Sequence, residues 1–245
     1  MGRILLHSLF VAVFCTCISG TDYTYGCDGY HRLSIGGREN LRLLSGYDLV
    51  SIDLLSGALP VTVKGREHID RKQSYVFVAN HQGAFDIFLI YGFLGVPIKW
   101  VMKAGIAKIP FVGAACRAAG FIFVDNSTPK AAARSVLEAE RCLRNGASVV
   151  VFPEGSRTYT GKMIRFKKGA YQMALGQHLP IIPITLNGPF DVLPIGSLNV
   201  HRHRMEMVIH PAVSTENIDT SHKGMQAFAD QTQEIIASAL WEEYK

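Results

Sequence analysis

Apolar residues follow two different rhythms along this chain, and the change falls near residue 60. Ahead of it, residues 4–18 ("ILLHSLFVAVFCTCI") are apolar apart from His7, Ser8 and Thr16, and Arg3 precedes them. A spanning helix needs about 20 apolar residues, so this run is short for a span. A cleaved signal peptide shares the positive start and apolar middle. Cleavage would export a chain with the three remaining cysteines Cys27, Cys116 and Cys142, so we expect an uncleaved, membrane-associated helix instead. Residues 21–37, rich in Gly, Tyr and Asp, read as a loop. Residues 38–58 then set Leu43, Tyr47, Val50 and Leu54 at helical spacing, with Arg38, Arg42 and Asp48 between them. That pattern fits a helix packed on a core and equally a helix lying in a bilayer interface.

From residue 60 onward, short apolar runs alternate with helical patterns. Strands are predicted at 60–65 ("PVTVKG"), 74–80 ("SYVFVAN"), 98–102, 120–125, 147–155 ("ASVVVFPEG"), 180–188 and 205–213. Helices are predicted at 86–95, 130–146, 169–177 and 222–245. Such alternation predicts an α/β fold with a mostly parallel central sheet flanked by helices. The expected division is an N-terminal membrane-associated helical segment, 1–58, and an α/β domain, 59–245. Sites in such domains gather where strands end.

Composition narrows the partners. The 245 residues are 48% hydrophobic and 18% charged, with a net charge of +5. A greasy, basic chain suits anionic partners such as a phospholipid surface or phosphorylated substrates. No nucleic-acid partner is expected: there is no zinc-finger spacing, aromatic RNP-like stretch or long Lys/Arg tract. Five cysteines without a C-x-x-C read as free thiols. The run His201–Arg204 ("HRHR") lacks companions for a metal site and reads as a basic edge facing lipid headgroups.

Two strands end in polar clusters. One ends at Asn80-His81, with Asp86 five residues past the histidine. A histidine can take a hydroxyl proton if Nε2 is bare and Nδ1–H is held by an acceptor, and Asp86 in the first helical turn could be that acceptor. Taken alone, the spacing is met often by chance, and a turn histidine beside a helix-capping aspartate explains it as well. The other strand ends at Pro153-Glu154-Gly155-Ser156-Arg157. Gly155 permits an unusual turn, Glu154 and Arg157 set opposite charges at the strand mouth, and an arginine can grip a phosphate with two parallel bonds.

The ordered set of blocks resembles the glycerolipid acyltransferases, most closely the 1-acyl-glycerol-3-phosphate (lysophosphatidate) acyltransferases. "NHQGAFD" is similar to that family's N-H-x-x-x-x-D block, and "KWVMKAGIAKIPFVGAACRAAGFIFVDN" to its second block. "VVVFPEGSRT" is similar to its F-P-E-G-T-R block with Ser156 for Thr, and "FKKGAYQMAL" and "LPIIPI" to the blocks that follow. The resemblance spans residues 60 to 215. It implies transfer of an acyl group from acyl-CoA or acyl-carrier protein to the free sn-2 hydroxyl of lysophosphatidate, giving phosphatidate. His81 would be the general base and Asp86 its orienter. Asn80, Lys103, Glu154, Gly155, Ser156 and Arg157 would bind substrate, with Lys103 and Arg157 on the acceptor phosphate, Glu154 shaping its loop, and backbone N–H groups around Gly155 facing the oxyanion. No covalent acyl-enzyme is required, and the chain has no G-x-S-x-G elbow. The implied cofactor set is empty, with no metal, and the partners are the lysophospholipid, the acyl thioester and a membrane surface, at the cytoplasmic face of the cell membrane. One position departs: where the family commonly carries Arg at the end of the second block, this chain has Asn126. Two alternatives stay open, the same chemistry on another lyso-lipid (a lysophospholipid or an amino-acid lyso-lipid) and a non-catalytic lipid-binding membrane protein.

Overall fold

The computed structural model describes residues 24–25, 31–32 and 59–245, except Phe111, Asn126, Asn145, Gly146, Leu198 and the side chains of Thr24, Tyr25, His31, Arg32, Ala115, Pro129, Ala132, Cys142 and Arg144. The apolar run 4–18 and the amphipathic stretch 41–55 lie outside the described residues, as does Asn126. Inside the expected 21–37 loop, β1 (Thr24–Tyr25) pairs antiparallel with β2 (His31–Arg32).

Residues 59–245 build a seven-stranded sheet. Its strands are β3 (Val61–Lys64), β4 (Val76–Ala79), β5 (Ile98–Lys103), β6 (Ile122–Val124), β7 (Ser148–Val151), β8 (Ile181–Asn187) and β9 (Met205–Ile209), in the spatial order β3-β9-β8-β4-β7-β5-β6. The helices are α1 (Phe85–Phe93), α2 (Val112–Ala118), α3 (Pro129–Arg144), α4 (Gly169–Gly176), α5 (Pro189–Val192) and α6 (His222–Ser238). The central strands β4, β7 and β8 are buried at every position, which is why their sequences are near-continuous apolar runs. Successive side chains still point to opposite faces. Phe77 and Ala79 join Phe85, Leu89 and Ile90 of α1 in one core layer, while Val76 and Val78 join Tyr171 of α4 and Phe228 of α6 in the other.

Five of the six neighbouring pairs are parallel, and β8–β9 is antiparallel. The reversal carries β3 with it, because β3 runs parallel to β9. The first residues of β3 and β9 therefore lie at the sheet end where β4, β5, β7 and β8 finish. A second difference is at the C-terminus, where the helix expected through Lys245 stops at Ser238. Asn187, at the end of β8, donates from Nδ2 to Ala239 O (2.9 Å) and accepts the Trp241 N–H at Oδ1 (3.0 Å). The Trp241 Nε1–H donates to Glu206 (3.0 Å). Buried polar partners thus divert the chain from a helical path that composition alone would favour.

Candidate active site

β4 and β7 are neighbours in parallel register, Val78 opposite Val151, so the polar clusters that follow them emerge side by side. His81 lies two residues past β4. Its Nδ1 is 2.6 Å from Asp86 Oδ2, and the same oxygen accepts the Gly83 N–H at 2.9 Å. Asp86 therefore both ties the turn at the start of α1 and holds the imidazole. A carboxylate can only accept, so the ring proton sits on Nδ1 and Nε2 is left bare. Nε2 has no partner among the described residues. The His81 side chain keeps 16% of its surface while Asp86 keeps none. Burial pushes the Asp86 carboxyl above its ordinary range, and the bonds from His81 and Gly83 oppose that push. A more basic carboxylate is a stronger acceptor for the Nδ1 proton.

The ring plane is fixed by Phe152, the first residue past β7, which stacks on His81 with centroids 4.0 Å apart and planes 8° from parallel. Trp100 of β5 stacks on Phe152 in turn at 5.6 Å. Sequence reasoning assigned Phe152 no role. Its signal was an aromatic immediately before Pro153 at a strand mouth, where a side chain must lie over the end of the sheet.

Glu154 points inward. It is 1% exposed, and its two oxygens accept the backbone N–H groups of His81 (2.7 Å) and Ile164 (2.9 Å). It forms no ion pair with Arg157 within the described residues; the pairing of opposite charges at the mouth is replaced by a clasp between the His81 turn and the 155–164 loop. Burial pushes its carboxyl up to about 7, against the pull of the two N–H donors. Thr158 N–H closes the same junction by donating to His81 O at 3.1 Å. Gly155 is left-handed (φ 73°), and a β-carbon there would come within 2.7 Å of Lys167 Nζ. The Gly155 N–H is already donated to Phe152 O (3.0 Å), so Ser156 N–H and Arg157 N–H are the donors of this turn without a partner among the described residues.

Asn80 is placed differently from a ligand contact. It is buried, its Nδ2 donates to Leu186 O (2.9 Å) and its Oδ1 accepts the Leu186 N–H (2.8 Å), so it extends the β4–β8 ladder by one residue. Ser156 and Arg157 are exposed beyond the turn, and Lys103 is exposed at the end of β5, at the same end of the sheet. The structure thus brings His81, Asp86, Glu154, Gly155, Ser156 and Arg157 together, with Lys103 two strands from His81. Among the described residues no group of three or more His, Cys, Asp or Glu is placed to hold a metal ion.

A paired histidine with a bare Nε2, partly exposed and stacked on Phe152 near N–H donors without a partner among the described residues and an arginine, can remove a hydroxyl proton next to an anionic group. The Acyltransferase family model matches residues 60–187. The chain is 31% identical, over 65% of its length, to the chloroplast 1-acyl-sn-glycerol-3-phosphate acyltransferase of Arabidopsis thaliana, of which it spans 45%. It is 31% identical to the protein of the same name from Borreliella burgdorferi, over 71% of this chain and 70% of that one. The crystal structure of the 1-acyl-sn-glycerophosphate acyltransferase of Thermotoga maritima superposes with a TM-score of 0.65 at 27% identity, covering 79% of this chain and 78% of that one.

Proposed function

The chain belongs to the acyltransferase family, and from that premise we propose that it acylates the sn-2 hydroxyl of lysophosphatidate to give phosphatidate, with acyl-CoA or acyl-carrier protein as donor. The observation that carries this reading is the His81–Asp86 contact at the mouth of β4, which leaves Nε2 without a partner among the described residues. His81 Nε2 takes the acceptor proton as the hydroxyl oxygen attacks the thioester carbonyl. Asp86 keeps the ring in the required tautomer and stabilises the imidazolium that forms. The carbonyl oxygen, as its charge grows, meets the Ser156 and Arg157 N–H groups. Collapse of the tetrahedral intermediate expels the thiolate, which takes the proton from the His81 imidazolium to leave the free thiol and a neutral base. Arg157 and Lys103 hold the acceptor phosphate. The thioester is already activated, so the residues provide positioning and proton transfer with no resident cofactor. The site works at a membrane surface on the cytoplasmic side, where acyl thioesters are supplied and the lysolipid is embedded.

The second reading, an acceptor other than lysophosphatidate, rests on Asn126 in place of the family's usual Arg. One assay separates the two. Purified full-length protein is given an acyl thioester with lysophosphatidate, a zwitterionic lysophospholipid or an amino-acid lyso-lipid, and free thiol and lipid product are measured. Thiol release that is largest with lysophosphatidate supports the first reading. A preference for either other acceptor moves the protein to the second, and no release with any of them removes the enzymatic reading.

A further inference from the structure

Lys167 has no part in the mechanism above, yet it is held at the turn that follows β7. Its neighbour Phe166 is buried in the core and donates its N–H to Gln233 (3.1 Å), which fixes where the loop 156–168 returns to the domain. Lys167 N–H then donates to Pro153 O at 3.0 Å, so its backbone lies beside the Glu154–Gly155 turn. The side chain runs along that turn. A β-carbon on Gly155 would come within 2.7 Å of Lys167 Nζ and 3.5 Å of its Cδ and Cε, so stem and ammonium both lie on the bare face of the glycine. Gly155 is thus required twice, once for its left-handed backbone (φ 73°) and once for the space the lysine takes. Lys168 goes elsewhere: it occupies the N-cap of α4, and its Nζ contacts His222 Nε2 in the first turn of α6.

The ammonium has no acceptor to account for its place. Lys167 Nζ is without a hydrogen-bond or ion-pair partner among the described residues. The loop 156–168 contains no carboxylate. Glu154, at the same turn, is 1% exposed and spends one oxygen on the His81 N–H and the other on the Ile164 N–H. Directly after Gly155 come Ser156 and Arg157, whose N–H groups are likewise without a partner among the described residues. A cation and two N–H donors are thus gathered along residues 155–157, next to the glutamate that holds the His81 backbone.

We propose that Lys167 is a further catalytic residue, donating from Nζ to the thioester carbonyl oxygen as that oxygen becomes negative. The acceptor oxygen attacks the carbonyl carbon, the π pair moves onto the carbonyl oxygen, and Lys167 bonds to the new charge while keeping its own proton. On collapse the pair returns, the C–S bond breaks, and the thiolate takes the proton held by His81. The contact strengthens only as charge develops, so it acts on the transition state and not on the binding of either substrate. A phosphate of the acceptor or of the donor would use the same cation in the ground state. The turn favours the oxyanion, because two backbone donors follow the ammonium directly and suit a single oxygen of growing charge. Arg157 and Lys103, both exposed, already serve the acceptor phosphate in the function proposed above. The inference rests on that reading for its chemistry, but the oxyanion forms on the donor whichever lyso-lipid attacks.

The test compares full-length wild type with Lys167→Met, which keeps the length of the stem and loses the charge, and with Lys167→Arg, which keeps the charge. Free-thiol release is followed with each of the three lyso-lipids of the acceptor assay, and both substrates are varied. Lys167→Met is expected to lose about 10²-fold in kcat, the loss met when one oxyanion donor is removed. Both KM values should stay within about twofold of wild type, and the loss should be the same for every acceptor that wild type uses. Lys167→Arg should recover most of the loss, and both variants should melt with wild type, since the side chain is exposed. An unchanged kcat in Lys167→Met overturns the proposal. A change confined to the acceptor KM or to the donor KM also overturns it, and moves Lys167 to a phosphate of that substrate. A loss that Lys167→Arg shares in full overturns it too, and leaves Lys167 as a brace of the turn. A wild type that prefers another acceptor removes lysophosphatidate from the function above but keeps the Lys167 comparison readable, so the two failures are distinguishable; no thiol release with any acceptor overturns both.

Discussion

Asp86→Asn exchanges a single atom and should still be severe. The amide can turn its NH2 towards His81 Nδ1, stabilising the tautomer in which Nε2 carries the proton and cannot accept one. His81→Ala removes the base outright. Loss of a general base costs about 10²–10⁴-fold in rate, so both variants should lose at least that much kcat while melting within a few degrees of wild type; near-normal turnover in folded His81→Ala would end the mechanism. Arg157→Ala should raise the acceptor KM more than the donor KM, since a phosphate grip acts in acceptor binding. Equal changes in the two would place Arg157 elsewhere. Glu154→Gln probes the clasp. The two N–H groups bond different oxygens of Glu154, and glutamine would set its NH2 against one of those donors, so the variant should lose about 1–3 kcal/mol. The gap should depend on pH. The folded carboxyl titrates at about 7 and the unfolded one near 4.5, so the folded state holds more protons between those values. Stability of the wild type through this group is therefore full below pH 4.5 and declines as pH rises to about 7. Glutamine does not titrate, so the melting difference should narrow from pH 5 to pH 8; a constant gap would show that Glu154 is ionised throughout.

At the scale of elements, the strand runs were legible because β4, β7 and β8 are buried on both faces and leave no polar residue to interrupt them. Their polar ends, at Asn80-His81 and Glu154-Arg157, were legible for the same reason. What the individual polar groups do was less so. Asn80 and Glu154 sit in the most suggestive blocks, and both bind backbone. A side chain that satisfies buried N–H and C=O groups looks in sequence like one that awaits a ligand. The antiparallel turn into β9 left no mark either, since a strand's apolar pattern is the same in both directions. The end of α6 is set by Asn187, which is 52 residues from Ala239 in the chain, and so escapes any local pattern. Asn80→Ala tests the ladder extension. It leaves the buried Leu186 N–H and C=O both unpaired, which should cost about 2–5 kcal/mol and lower the melting temperature by roughly 5–15 °C for a domain of this size. Full stability with lost acceptor binding would instead return Asn80 to the substrate.

For the whole molecule, the question is how binding to a membrane divides between residues 1–58 and the α/β domain. Leu59 is buried in the core and Pro60 accepts from Met205, so a truncation has to begin no later than residue 58 to leave the domain intact. Among the described residues both core layers are built from residues 59 onward, and such a truncated chain should fold. No described helix is long and apolar enough to cross a membrane, so whatever affinity the domain retains comes from its surface. Basic side chains near an anionic bilayer contribute about 1 kcal/mol each and act within a Debye length, roughly 10 Å at 0.1 M salt. Lys162, Arg165, Arg202 and Arg204 together would then hold the truncated chain on phosphatidylglycerol vesicles at low salt and release it at about 1 M, where the screening length is near 3 Å. The full chain, with the apolar run 4–18, should stay bound at both salt concentrations, because burial of apolar area is insensitive to screening. Co-sedimentation across a salt series reads all of this. A truncated chain that fails to sediment at low salt shows that these cations contribute nothing on their own. One that stays bound at high salt shows that the domain carries an apolar anchor independent of residues 1–58. A full chain washed off by salt removes the anchor assigned to the N-terminal segment.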